Sequence, residues 1–321
     1  MLATYGGFYG TGPGSRQPPR YETLVENIAC WMRSMIELAD PFRPSVYPGG
    51  YDPTYDTNLW TIPVEFHGSM VIFLTLVGLA KVHTPVRVLI LSGLVLYLLY
   101  YAYTHMFLFL GGVLLAELGH VREAGRKERK GIHETQSTNP DRSKFLDIEA
   151  KPWASVGNMS WLATFIVALF VLSMPLMDFG GGTSPGFMTL ATLVPQNYRR
   201  QFFVDQFWIH LAAMLLVFSV DNAKFLQSIF TTRFAQWLGK ISFALYILHG
   251  HFLYTIGWNL SAKTLEWTGR EPGFQYTFGV LLTLMVMYPL LFWTAHMVAK
   301  HVDARSVTLA RWLYTKCSKS T

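Results

Sequence analysis

Asn58-Leu59-Trp60-Thr61-Ile62-Pro63-Val64-Glu65-Phe66-His67-Gly68-Ser69-Met70 stands where a polar loop turns into the apolar run 71–80. Pro63 suits the first turn of a helix, where its missing N–H leaves no bond unmade. Glu65 and His67 then sit just inside a helix too apolar to be an ordinary surface helix. A carboxylate and an imidazole are costly at the mouth of a membrane helix, which points to function; the alternative reading is an interfacial cap. Glu65 and Ser69 are four apart and share one face, whereas His67 points roughly the opposite way. Glu65 is therefore expected in the bundle interior, and His67 near the headgroups or a neighbouring helix.

The rest of the chain supports a membrane setting. Of 321 residues, 51% are hydrophobic, 15% aromatic and only 14% charged, against about 25% charged in soluble domains. The expected fold class is all-α, a polytopic, multi-pass helix bundle in the lipid bilayer. The net charge of +6 comes from basic residues in loops between apolar runs. That pattern is cytoplasmic loop charge and not a nucleic-acid surface. Cys30 and Cys317 lie near opposite ends, have no metal-ligand spacing, and are expected on opposite sides of the membrane without a disulfide between them. Gly180-Gly181-Gly182 lacks the Lys and Ser/Thr of a phosphate loop, and no zinc motif, nucleophile elbow or dinucleotide fingerprint occurs. No metal and no permanently bound cofactor is expected.

The apolar runs predict about seven full spans: 64–80, two within 88–118, then 159–177, 203–220, 241–258 and 276–299. About 20 residues suffice to cross, so 88–118 is too long for one span and is split near Tyr103-Thr104-His105. Pro289 is expected to kink the last span. Outside the spans, a helix is expected over 21–38 and an amphipathic interfacial one over 225–238. The charged stretch 121–151 reads as a mostly disordered loop. Lys81, Arg87, Lys224, Arg233, Lys240 and the 121–151 loop should be cytoplasmic. Residues 10–59, 178–200 and 259–273 then face the lumen or exterior. The whole reads as a single membrane domain: 1–59 the end of a span plus a lumenal segment, 60–118 three spans, 119–157 a cytoplasmic loop, 158–300 four spans, and 301–321 a cytoplasmic tail. Leu2-Ala3-Thr4-Tyr5-Gly6-Gly7-Phe8 reads as the outward end of a helix, so the chain is expected to begin inside a span.

A second polar constellation lies in Gly239-Lys240-Ile241-Ser242-Phe243-Ala244-Leu245-Tyr246-Ile247-Leu248-His249-Gly250-His251. Ser242, Tyr246 and His249 are spaced i, i+4, i+7 and form one polar stripe on an apolar helix. An imidazole there can shuttle a proton near neutral pH; a His hydrogen-bonded between helices for packing alone is the alternative. His105 in a presumed turn, and Asp205 and His210 near a span entrance, are weaker signals.

These two stretches resemble the acyltransferase 3 family of membrane proteins. Residues 59–70 resemble its Trp-and-Glu motif in the fungal form. Residues 241–249 are similar to its later Ser–aromatic–Tyr–His motif, and Phe109-Leu110-Gly111-Gly112-Val113-Leu114-Leu115-Ala116 to its Phe-Gly-Leu-Ala helix. The resemblance implies about ten membrane helices and transfer of an acyl group, commonly acetyl, from acyl-CoA as co-substrate to a hydroxyl-bearing acceptor. That acceptor would be a sugar, a glycan or a small natural product. It places Glu65 and His249 at motif positions and Trp60 at the aromatic before the Glu. Glu65, His249 and Tyr246 are thus the expected catalytic residues, and Trp60, His67 and Ser69 the expected substrate-binding ones. The Arg and His that the resemblance places on the family's first helix have no counterpart, so the chain is expected to start near the third helix and to be inactive alone. The rival reading is a transporter of a small anion or metabolite, which would also use intramembrane Glu and His. Another is a non-catalytic fragment that pairs with a second chain.

The alternation of basic loops predicts that a protease added to sealed vesicles of known sidedness cleaves within 121–151 from the cytoplasmic side only and within 178–200 from the other side only. Cleavage of both from one side would overturn this orientation.

Overall fold

The computed structural model describes residues 21–40, 42, 55–136, 156–174, 186–200 and 204–318. Every regular element among them is helical: α1 (Leu24–Leu38), α2 (Thr61–Leu79), α3 (Thr84–Tyr100), α4 (Thr104–Gln136), α5 (Val156–Leu172), α6 (Phe187–Thr192), α7 (Gln196–Arg200), α8 (Val204–Asn222), α9 (Lys224–Phe230), α10 (Arg233–Phe252), α11 (Trp258–Thr268), α12 (Phe274–Val298) and α13 (Ala304–Cys317). A 3-10 turn, Thr57–Trp60, leads into α2, and π-helical turns join α10 to α11 and α12 to α13. The all-α expectation holds. Seven full spans do not emerge. Among the described residues, three helices are long and apolar enough to cross a membrane: Asn58–Leu79, Thr104–Gly125 and Phe274–Cys317. A fourth arises if α8 and α9, bent by 104°, are one broken span.

The expected split of the long apolar run is present, and its cause is local. α3 ends in a Schellman-type stop: Tyr103 N–H donates to Leu98 C=O at 3.0 Å and Ala102 N–H to Leu99 C=O at 3.4 Å. This places Ala102 at φ +59°, a conformation usually left to glycine. Its methyl is buried against Val194 and Tyr198, a contact glycine would not make. Two expectations need correction. Residues 119–136 are helical, not a disordered loop, because α4 runs on from its apolar part. Propagating an existing helix needs no new nucleus, and Glu123 stands four residues before Lys127, a favourable helical spacing. There is no single helix over 225–238 either. Thr232 caps α10 by accepting from Ala235 N–H at 3.3 Å, so 233–238 are the first turns of α10. Within 259–273, α11 continues to Thr268 before Gly269, at φ +112°. Residues 137–155 of the charged stretch lie outside those described.

The chain forms two compact units, Met1–Pro63 with Thr232–Thr321, and Val64–Thr231. In the first, Ile241 and Ala244 of α10 and Ala295 of α12 form a buried core flanked by Trp237 and Phe292. The hydroxyls of Thr264 and Thr283 meet at 2.7 Å and join α11 to α12. In the second, Val95, Phe107 and Leu110 are buried together, with Val71 and Met214 packed against them. Arg87 Nε donates to Glu117 Oε1 at 2.8 Å and ties α3 to α4. Arg122 bonds Asp221 and Asn222 at the end of α8.

Gly68 is the close-approach point of α2: a Cβ there would lie 2.4 Å from Phe109 Cε2. Gly68→Val should therefore destabilise the detergent-solubilised protein by about 1–3 kcal/mol. Phe109→Ala in the same chain should recover part of that loss, read as the melting temperature of the double variant against each single one. Strict additivity of the two losses would show that the contact does not limit packing.

Candidate functional site

The site is built from the turn before α2 and the last turns of α10, both in the first unit. Asp56 opens the turn in an extended conformation and accepts from Asn58 N–H at 2.9 Å through its own carboxylate. That bond shapes the 3-10 turn and directs Thr61 toward α10. Pro63 falls in the first turn of α2, as its chemistry requires.

Tyr246 of α10 receives this turn. Its hydroxyl donates to Asn58 C=O and accepts from Thr61 Oγ1 at 2.7 Å. A carbonyl only accepts, so the phenol's one proton is committed to Asn58. Tyr246 is thus a clasp, and its hydroxyl is not spare for a reacting carbonyl. One turn further on, Gly250 makes the seating possible. A Cβ at Gly250 would lie 2.6 Å from Asp56 Oδ2 and 2.7 Å from Asn58 Nδ2. His251 Nδ1 then lies 3.2 Å from Asp56 Oδ2, whose side chain is only 2% exposed. Burial pushes the Asp56 carboxyl up, but hydrogen bonds from His251 and Asn58 outweigh it and leave its pKa below the usual value.

His249 lies on α10 between Tyr246 and Gly250 in sequence. Its Nδ1 lies 2.5 Å from Tyr246 C=O, and its ring sits 5.7 Å from the Tyr246 ring. The neutral imidazole must then carry its proton on Nδ1, which leaves the Nε2 lone pair as the basic atom. The π-helical turn Leu253–Gly257 follows at once. Such bulges are frequent at functional sites.

The two motif stretches therefore do meet, at Asn58, Thr61 and Tyr246. Glu65 falls in the second unit, where it is exposed, in contrast to the interior place expected for it. Its backbone carbonyl accepts from Ser69 Oγ at 2.8 Å, the i, i+4 contact of a hydroxyl on an exposed helix face. His67 is half-buried in the same unit, and Trp60 ends the turn at 41% exposure. The sequence reading passed over Asp56, Gly250 and His251. The one available signal was a glycine between two histidines, beside no turn in sequence. His105, expected in a turn, is instead in the first turn of α4, its ring 6.2 Å from that of His210. Among the described residues no group of three or more His, Cys, Asp or Glu is placed to hold a metal ion.

In sequence the chain is similar to known acyl-transferring enzymes. It is 32% identical over 310 residues to the O-acetyltransferase PaAT-1 of Phomopsis amygdali, covering 94% of this chain and 58% of that protein. It is 23% identical over 283 residues to the acyltransferase clz18 of Cochliobolus lunatus, covering 86% of this chain and 56% of that one. It is 22% identical over 243 residues to the acyltransferase R4 of a Phoma species, with 74% and 47% covered. The chain spans about half the length of the curated relatives it matches. No family model matches it, and no solved structure does. These fungal relatives support an acyltransferase.

Gly250→Ala should lower the melting temperature by displacing Asp56 and Asn58, at a cost of about 1–3 kcal/mol. Asp56→Asn should destabilise at pH 7 by an amount on the order of 1–3 kcal/mol. Because the folded-state pKa is depressed, the carboxylate's contribution is full above about pH 4 and fades as pH falls through the lowered value. The gap between Asp56→Asn and the parent should therefore narrow in acid, measured as melting temperature against pH. A gap independent of pH would remove the ionic part of this clasp.

Proposed function

We propose that the protein is a multi-pass membrane O-acyltransferase of the acyltransferase 3 type. It moves an acyl group, acetyl by analogy with PaAT-1, from acyl-CoA to a hydroxyl of a sugar, a glycan or a small natural product. The observation that carries this reading is the seating of the 58–61 turn on Tyr246, which joins the two motif stretches beside His249.

In the reaction the acceptor oxygen attacks the thioester carbonyl. A C–O bond forms, the C–S bond breaks, and CoA leaves as a thiolate. His249 Nε2 takes the hydroxyl proton and returns it to the thiolate sulfur. Tyr246 holds the α10 end against the turn, so that the imidazole stays in one tautomer and one place. Glu65, at its motif position, is the second catalytic residue of this reading and acts on the acceptor hydroxyl. Trp60, His67 and Ser69 are the substrate-binding residues of the same motif. Basic residues at the cytoplasmic ends of the helices meet the CoA phosphates, the natural pairing for a polyanion.

Membranes from cells expressing the full-length gene product should release thiol from acetyl-CoA in the presence of a hydroxyl acceptor, tested over sugars, glycans and small phenols and alcohols. His249→Gln should lower kcat by roughly 10²–10⁴ with normal expression, and Glu65→Gln should lower turnover as well. Acceptor uptake into vesicles without thiol release would favour the transporter reading. Unchanged kcat in His249→Gln would remove His249 as the base.

A further inference from the structure

α12, its π-helical turn and α13 form one helix of 44 residues, Phe274–Cys317. At 1.5 Å per residue that is about 66 Å, whereas the hydrocarbon core is about 30 Å thick. α12 alone, with 25 residues, is long enough to cross with some tilt. α13 therefore begins beyond the hydrocarbon, past the π-helical turn Ala299–Asp303, a place where a helix can bend.

α13 has the pattern of a helix that lies on a surface. Stepping 100° per residue places Val307, Leu309, Ala310, Leu313 and Tyr314 on one side. Arg311 borders that side on one edge; Arg305, Trp312 and Lys316 border it on the other. Thr308 and Thr315 occupy the opposite side. All of α13 is exposed, with Val307 at 50%, Leu309 at 57%, Trp312 at 55% and Tyr314 at 75%. From 300 to 317 the chain carries Lys300, Arg305, Arg311 and Lys316 against Asp303, four positive charges and one negative. An apolar face edged by cations and aromatic residues, continuous with a candidate span, matches an anionic lipid surface in both charge and depth.

We propose that α13 binds the anionic headgroups of the leaflet where α12 emerges, with Leu309, Leu313 and Tyr314 toward the acyl chains and Arg305, Arg311 and Lys316 on the lipid phosphates and carboxylates. The site is independent of the acyl-transfer reading.

The test uses the full-length protein in nanodiscs of phosphatidylcholine alone, or with a third of phosphatidylserine, one copy per disc. A spin label at Leu313→Cys, with Cys30 and Cys317 changed to Ser, reports oxygen against aqueous-reagent accessibility. The label should move from water to the acyl-chain boundary when phosphatidylserine is present, and high salt should reverse the move. Arg305→Gln, Arg311→Gln and Lys316→Gln should each weaken surface residence roughly fivefold. A label in water in both lipids would overturn the proposal. So would burial that is the same in both lipids and insensitive to charge. Burial seen only with two copies per disc would assign the face to self-association and overturn it too. A Thr308→Cys label on the opposite side should stay in water throughout, which separates docking from a general loss of folding.

Discussion

One phenolic hydroxyl sets the geometry of the candidate site. Tyr246 joins groups from residues 185 and 188 positions away in the chain: the Thr61 hydroxyl and the Asn58 carbonyl. Removing it costs both of these hydrogen bonds, each worth about 0.5–1.5 kcal/mol net. The turn also feeds directly into α2. Thr61, the first residue of α2, is therefore seated against α10, and the glycine at 250 leaves room for Asp56 and Asn58 beside it.

Much of the architecture was readable from the sequence because it follows from local rules. The helix at Leu24–Leu38 has its Thr23–Glu26 capping box written in the chain. The start of α2 follows from Pro63. The break at 101–103 follows from length, since 31 apolar residues exceed one crossing, although no glycine marks it and Ala102 must take the strained conformation. Charge was the misleading signal. In 119–136 it was read as disorder, yet straight-chain charged residues are good helix formers, and a helix already under way extends through them at little cost.

The site was only half legible. Periodicity groups residues that share a face of one helix, and it duly put Tyr246 and His249 together. It says nothing of a partner from another part of the chain. Asp56 is an ordinary turn residue in sequence; only its 2% exposure and its contact with His251 make it a buried carboxylate with an imidazole beside it. Gly250 is equally silent, because a glycine inside a helix acquires meaning only from what approaches it.

The hydrogen-bond inventory then divides the labour among the aromatic polar groups of α10. A phenol has one proton and can accept in turn; both functions of Tyr246 are used within the chain. Recruiting it to donate to an acyl oxygen would first require releasing Asn58. His251 is likewise engaged through Nδ1 with a buried carboxylate, an arrangement that anchors the ring. His249 differs from both. Its Nδ1 is satisfied by the carbonyl three residues back in its own helix, which leaves the lone pair of the neutral ring on Nε2. A side chain oriented by its own helix, next to two that are fixed by the turn, has the pre-organisation that proton transfer requires without the cost of breaking a structural bond at each turnover. This is why we propose His249 for the proton-transfer role, with Tyr246 and the Asp56–His251 pair as the frame beside it.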